Sequence, residues 1–517
     1  MKIKDILIIG GGSSGWMTAA AIAKCLPNYN VTLVESASVP IVGVGESTLS
    51  QINEYLDLLD LKDEEWMPLC GATYKTSIRF SDFNKPGEYY QDILKNVEFP
   101  VQMRDVYDFF MLTKLYPDQF NVKDFSQFFD DNHHMTETAK FVAGSNMMNW
   151  DFKHNKAYHM DAYRFGMALK ELVADPNGCK HIVDDVVEFV TAGKDVVLGV
   201  RTKNHGILQA DLYIDCTGFR SLMLGGALKV PYISFADMLP NDTALACNIP
   251  YEDRDNELTS YTNCTAIENG WVWNIPVWER IGSGYCFSSK FVSAEDALLE
   301  YKTHLRKQFG QRADVIEPRL IKFIPGIRER AWVGNVVGIG LSNGFLEPLR
   351  STGLLMTHEN VIRLIEVLSR VDGHATGVDR EGYNFVIRES MNGLRDFVSS
   401  HYSLSKRNDT PYWHSITEEN NYFSSTEYYR NFARICNKTN VADISQPFNL
   451  RVLTGNGYNP LSDIEFIRLI KNNLMDTERL SRVRSAWTKR HQILKDYTDK
   501  LPSLNQFLEN TIYKEIT

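Results

Sequence analysis

The chain has 517 residues, 44% of them hydrophobic and 12% aromatic, with a formal charge of −10 from 55 basic and 65 acidic side chains. Such a length exceeds one small core and points to two or three domains, or one large body with long insertions. The acidic balance, without any basic stripe, excludes nucleic acid as the main partner, and no apolar run approaches the ~20 residues that cross a bilayer, so no membrane partner is expected.

The opening segment, Met1 to Ile9, is too short in its apolar part for a signal peptide and reads as a first β-strand. A glycine-rich turn (Gly10 to Gly15), a helix (Trp16 to Cys25) and a second strand (Val31 to Val34, ending in Glu35) follow, a βαβ pattern with an expected right-handed crossover. Gly10-Gly11-Gly12-Ser13-Ser14-Gly15 is GxGxxG in the context that binds a pyrophosphate: Gly10, Gly12 and Gly15 permit the tight turn and close approach, and the phosphates meet the helix N-terminus beside Ser13 and Ser14. Glu35, 20 residues beyond Gly15, is placed to accept hydrogen bonds from a ribose. The motif predicts a dinucleotide site without choosing between FAD and NAD.

An aromatic-rich insertion spans about 85–150, densest from Phe99 to Phe129, and is expected to be packed and helical. Strand-like runs at Val196 to Arg201, Leu212 to Asp215 and Val333 to Ile339 are expected to complete the nucleotide-binding body. Trp271 and Trp273, two residues apart, project onto one face of a strand. Ser351 or Thr352 reads as the N-cap of a helix through Met356 to Leu368. Beyond about residue 375 the pattern turns helical and polar, with aromatics at Tyr402, Tyr412, Trp413, Tyr422, Phe423, Tyr428 and Tyr429, and a late apolar helix face of Leu480, Val483, Trp487, Leu494, Tyr497 and Leu501. The expected division is therefore an α/β catalytic body over 1–370 and a mainly helical, substrate-side region over 371–517. The eight cysteines (Cys25, Cys70, Cys179, Cys216, Cys247, Cys264, Cys286 and Cys436) include no CxxC pair and suit reduced, cytoplasmic thiols. The His133-His134 pair lacks further ligands at workable spacing, so no metal site is expected.

Several segments, in order, carry a family resemblance: Gly43-Val44-Gly45-Glu46-Ser47-Thr48, Lys75 within Tyr74 to Phe80, Asp215-Cys216-Thr217-Gly218-Phe219-Arg220, the WxWxIP stretch Trp271 to Pro276, Gly334 to Gly340, and Ser351-Thr352-Gly353. Together they resemble the flavin-dependent halogenases of the tryptophan-halogenase-like group. The resemblance implies an FAD-binding, Rossmann-like body of flavin monooxygenase type with an additional β-sheet. It implies FAD, supplied as FADH2 by a separate NAD(P)H-dependent flavin reductase, with O2 and halide (Cl, Br or I) as co-substrates. In such enzymes a flavin C4a-hydroperoxide and halide form hypohalous acid, which a lysine, here Lys75, holds or reacts with before an electron-rich aromatic is halogenated. Gly45, Glu46 and Ser47 would lie along the flavin, Asp215 and Gly340 would contact FAD, and Thr352 and Gly353 would hold the halide. Trp271 and Trp273 would bar the organic substrate from the flavin.

One position departs from the tryptophan enzymes, whose pattern is EPLESTG: this chain reads Glu347-Pro348-Leu349-Arg350-Ser351-Thr352-Gly353. A guanidinium cannot accept an indole N–H, so free tryptophan in the usual pose is disfavoured. Glu347 and Arg350 are substrate-side candidates, the substrate being a small aromatic of phenol, indole or pyrrole type, or one bearing an anion for Arg350. Alternatively Arg350 turns away and pairs with Glu347. Tyr89, Tyr90, Phe99, Phe109, Phe110 and the Tyr412-Trp413 pair form the pool for substrate walls. The alternative activity is that of a flavin monooxygenase or oxidoreductase acting without halide. Free or carrier-bound substrate and association into a homo-oligomer stay open.

Overall fold

The computed structural model describes residues 2–38, 45–94, 103–120, 122, 125–419, 451–452, 454–457, 467–468, 471–472 and 476–514. The apolar run Asp5–Ile9 becomes the inner strand of a six-stranded sheet, flanked by Asn30–Glu35 and Leu212–Asp215 in parallel register. Lys180–Val183 extends one edge and Val336–Gly338 the other, with Trp332–Val333 added antiparallel at the rim. Ser13–Cys25 is the crossover helix, and its Trp16 to Ala23 run lies inside the main core because both its faces are covered. The helix Thr352–Val371 packs against it.

A seven-stranded sheet follows the order Arg319–Lys322, Thr243–Pro250, Arg280–Phe287, Gly270–Pro276, Tyr261–Ile267, Ser77–Ser81, Tyr89–Ile93. Its pairs are antiparallel except Tyr261–Ile267 with Ser77–Ser81. A further sheet is three-stranded, with Ala157–Met160 between Glu46–Ser47 and Thr73–Lys75. The chain thus has the α/β architecture with an added sheet that its sequence implies.

Two strand expectations need correction. Val196–Thr202 does not join the nucleotide-binding sheet; it pairs antiparallel with Val186–Ala192 and Ile207–Leu208 in a separate sheet. Its burial alternates, which suits a sheet wetted on one face rather than a fully covered parallel strand. The expected strand Val333 to Ile339 is two short strands hinged at Gly334, which has φ +56° and where a Cβ would overlap the Asp195 carbonyl.

The aromatic insertion builds a second core with the late helix Thr477–Thr498: Phe109, Phe110, Phe120, Phe125, Phe397 and Leu480 are among its buried members, and Trp487 packs on Phe120 with 4.6 Å between ring centroids. Helix Gly377–Ser403 contributes Tyr383, Ile387, Met391, Val398 and Tyr402 to the main core. Phe99, Tyr422, Phe423, Tyr428, Tyr429 and Cys436 lie outside the described residues. No helix of the described residues is long and apolar enough to cross a membrane.

Candidate active site

The turn after the first strand is shaped by what cannot fit there. A Cβ on Gly10 (φ +111°) would overlap the Cys216 carbonyl, and one on Gly15 would overlap the Gly10 carbonyl. At Gly12, by contrast, no described heavy atom lies within 4 Å of where a Cβ would be. The N-terminus of Ser13–Cys25 therefore opens onto free space with no acid in its first turn, which fits a pyrophosphate. Gly340 (φ +71°) abuts Ser14, so the third glycine segment closes on the same helix start. Glu35 packs directly over Gly11 at the end of the second strand, with one carboxylate oxygen 2.7 Å from His181 Nε2. These features fit a dinucleotide such as FAD. The Asp215 carboxylate accepts from Thr217 N and Oγ1 (3.0 and 2.6 Å) and from the Met223 and Leu224 amides (2.8 and 3.0 Å), holding the turn that follows its strand.

Gly43 and Val44 lie outside the described residues, but Gly45 (φ +84°), Glu46 and Ser47 do not. Glu46 borders the first turn of Thr352–Val371; a Cβ on Gly353 would lie 3.9 Å from its Oε2. Its pKa is pushed up to about 7, by burial first and then by the Asp161 carboxylate.

Lys75 is wholly buried. Strand alternation sends Tyr74 one way, stacked on Phe141 at 5.1 Å, and Thr73 and Lys75 the other. Lys75 Nζ donates to the Thr48 carbonyl at 2.7 Å and to Ser351 Oγ at 3.0 Å. One ammonium thereby joins the GVGEST and STG segments, some 300 residues apart in the chain. Burial, and next the charge of Arg350, hold the Lys75 pKa well below the ordinary lysine value, while Cys264 and Asp92 act the other way.

Ser351 stands immediately before the helix, as expected of an N-cap, but it does not cap. Its backbone is left-handed (φ 58°, ψ 35°) and makes no side-chain cap bond; the hydroxyl donates instead to Ser47 Oγ at 3.0 Å. Thr352 and Gly353 occupy the first helical positions, where backbone N–H groups point along the axis without helical acceptors.

Trp271 and Trp273 share one face of their strand, with ring centroids 5.8 Å apart and both side chains buried. Their cross-strand partners are small: Ala266 and Cys286 beside Trp271, Cys264 and Gly284 beside Trp273. A Cβ on Gly284 would overlap the Trp273 ring. Two indoles fit on one face because the neighbouring strands leave the volume empty.

Arg350 is 1% exposed and forms an ion pair with Asp92, with its guanidinium over Phe397 (4.6 Å) and Phe80 (5.5 Å). Arg451 lies 3.9 Å from the other Asp92 oxygen and pairs with Asp130 at 2.8 Å, so two buried cations and two buried acids alternate. The expected alternative pairing of Arg350 with Glu347 is not found. Glu347 instead accepts from Tyr402 and from Asn241 (2.7 Å), and Tyr412 donates to Asn241 Oδ1 at 3.0 Å. Burial pushes the Glu347 pKa up to about 7, opposed by those hydrogen bonds. Of the proposed wall aromatics, Tyr90 stacks on Phe80 beside Arg350 (5.0 Å) and Tyr412-Trp413 packs with the Glu347 cluster, whereas Phe109 and Phe110 belong to the second core. Sequence reasoning did not single out Asp92, Asn241, Thr262 or His159. An acid inside Tyr89–Ile93 and a histidine inside Ala157–Met160 are polar residues in otherwise buried strands, the one signal that marks them.

The tryptophan halogenase family model matches residues 5–462. Tryptophan 6-halogenase SttH of Streptomyces toxytricini is 37% identical over 427 residues, covering 79% of this chain and 80% of that protein. Tryptophan 7-halogenase RebH of Lentzea aerocolonigenes is 31% identical over 441 residues, covering 81% and 79%. Among solved structures, the apo structure of VirX1 superposes with a TM-score of 0.92 at 38% identity over 99% of this chain and 100% of that one; the SttH crystal structure gives 0.81 at 30% over 98% and 99%. A family match over most of the chain, joined to a glycine turn that fits FAD and a buried lysine bound to the STG segment, makes this chain a member of the tryptophan halogenase family of flavin-dependent halogenases.

Proposed function

We propose that Lys75 holds the hypohalous acid formed from reduced FAD, oxygen and halide and delivers its halogen to an electron-rich aromatic. The observation that carries this reading is the pair of hydrogen bonds from Lys75 Nζ to Thr48 and Ser351, which put the amine at the meeting of the flavin strap and the STG segment. A buried amine with a lowered pKa serves as a hydrogen-bond donor when charged and as a nucleophile when neutral. Gly10, Gly12, Ser13, Ser14, Gly15, Glu35, Gly45, Glu46, Ser47 and Gly340 hold FAD, which supplies the reducing electrons when bound. The amides of Thr352 and Gly353 hold the halide, since a helix N-terminus favours an anion. Trp271 and Trp273 keep the aromatic substrate away from the flavin. The body over 1–370 does this chemistry and the region 371–517 faces the substrate. Reduced flavin arrives from a separate NAD(P)H-dependent reductase.

SttH and RebH are tryptophan halogenases, yet the substrate favoured here is a phenol, pyrrole or differently seated indole. The position that carries glutamate in the EPLESTG pattern holds Arg350, and its charge is answered by Asp92. With that charge answered, an anionic group on the substrate is not a requirement. In a single-turnover experiment with pre-reduced FAD, oxygen, and chloride, bromide or iodide supplied separately to a panel of phenols, indoles and pyrroles, halogenated products are expected by mass. Lys75→Ala is expected to oxidise reduced flavin at the wild-type rate while losing halogenation about 100-fold or more. Hydroxylated product without halogenated product, or a fully active Lys75→Ala, refutes the reading.

A further inference from the structure

Beyond Lys75 and Ser351 the hydrogen bonds continue without a gap. Ser351 Oγ donates to Ser47 Oγ (3.0 Å), Ser47 Oγ meets Thr262 Oγ1 (2.7 Å), and Thr262 Oγ1 meets His159 Nε2 (2.9 Å). Sheet register explains the row. Ser47 and Thr73 both pair with His159 from opposite sides, and Lys75 is two residues beyond Thr73, so all four project on one face of the small sheet. Lys75, Ser351, Ser47, Thr262 and His159 are all buried.

Counting donors gives the chain a direction. The single hydroxyl proton of Thr73 goes to the Pro276 carbonyl at 2.7 Å, so toward His159 Nδ1, 3.5 Å away, that oxygen can only accept. Nδ1 therefore carries the ring proton and Nε2 the lone pair. Thr262 must then donate to Nε2 and accept from Ser47, Ser47 must accept from Ser351, and Ser351 must accept from Lys75. Every hydroxyl has one donor bond and one acceptor bond, all aligned from the amine to the imidazole.

We propose that His159 is a positioning residue for the halogenation step: the acceptor at the end of a hydroxyl relay that takes a proton from Lys75 and returns it after turnover. This rests on the reading of Lys75 given above. The Lys75 ammonium passes a proton to Ser351 as Ser351, Ser47 and Thr262 each pass their own onward. One N–H bond breaks at Lys75, one forms at His159 Nε2, and the positive charge moves with it. The neutral amine attacks the halogen of hypohalous acid; the N–X bond forms, the X–O bond breaks, and the departing oxygen leaves as water with one amine proton. Transfer to the ring forms C–X, breaks N–X and returns the ring proton to nitrogen, so the sum is ArH + HOX → ArX + H2O. The relay then runs backwards.

The electrostatics agree with one charge shared by two sites. Burial, then the charge of Lys75, holds the His159 pKa well below the ordinary histidine value. Lys75 is the charged group that acts on His159; Arg350, Cys264 and Asp92 act on Lys75. A proton that leaves Lys75 removes the charge opposing protonation of His159.

The test begins with side-chain NMR of flavin-free protein labelled with 15N-histidine, His159→Gln identifying the His159 signals. The expected result is the Nδ1–H tautomer with an unprotonated Nε2; an Nε2–H tautomer overturns the proposal whatever the activity. Lys75→Met should raise the His159 pKa, and no change refutes the shared charge. Single-turnover bromination of a phenol is then followed against pH. His159→Gln can still accept from Thr262 but cannot take a proton, and is expected to lose about tenfold or more near pH ~6 and recover in alkali. Thr262→Val, which interrupts the relay and leaves His159 in place, should shift the acid limb in the same sense. Wild-type pH profiles in both variants overturn the proposal. Wild-type protein that makes no halogenated product refutes the reading of Lys75, and the tautomer and titration still decide the relay.

Discussion

Asp92 is the side chain whose loss should be felt most strongly for its size. It is wholly buried, pairs with Arg350 and lies 3.9 Å from Arg451. Asp92→Asn keeps the shape and removes the charge between the buried Arg350 and Arg451 guanidinium groups, leaving Asp130, which pairs with Arg451, as the acid of the row. Removing one member of a buried ion pair typically costs about 3–5 kcal/mol, against a total stability on the order of 5–15 kcal/mol. With an unfolding entropy of roughly 2.1 cal/mol/K per residue, the melting temperature of a chain this long falls by about 3–5 °C. Guanidinium denaturation followed by tryptophan fluorescence gives the corresponding midpoint shift. The double variant Asp92→Leu with Arg350→Met is the discriminating control. It removes both charges at once and offers Phe80 and Phe397 an apolar partner, so it should cost about 2 kcal/mol or less. An Asp92→Asn variant no more affected than a surface substitution, or a double variant worse than the single one, would refute the account of Arg350 as a charge balanced inside the fold.

Two further predictions concern the cofactor and the halide. Gly340→Ala puts a side chain at φ +71° against Ser14, so FAD affinity, measured by flavin fluorescence quenching, should fall about tenfold or more; unaltered binding would separate Gly340 from the cofactor turn. Glu46 has its pKa raised to about 7 beside Gly353. A raised acid is neutral below that value and anionic above it, so apparent halide affinity should decline as pH rises through about 7. Glu46→Gln should flatten that decline, and an equally steep Glu46→Gln profile would show that another group titrates.

The βαβ unit, the strand Leu212–Asp215 and the two indoles on one face were legible in the sequence because each depends on neighbours a few residues apart: glycine freedom, alternation and apolar runs. The family resemblance was legible for the same reason, since its motifs are contiguous. Long-range pairing was not. Ser351 has the residue type and position of an N-cap, yet its left-handed backbone turns the hydroxyl toward Lys75 and Ser47. Arg350 has Glu347 three residues away as an apparent partner, but the packing of Tyr89–Ile93 brings up Asp92 instead and gives Glu347 to Asn241 and Tyr402.

By itself, then, the sequence determined the nucleotide turn, the halogenase family and the identity of the buried lysine's motif. Tertiary structure alone decided which partners set that lysine's charge, because cross-strand register, not chain proximity, lines up Thr73, His159 and Ser47 beneath it and places one acid opposite Arg350. Electrostatics in a dry interior depend on distances of a few ångströms between residues far apart in the chain, and those distances exist only once the sheets have formed.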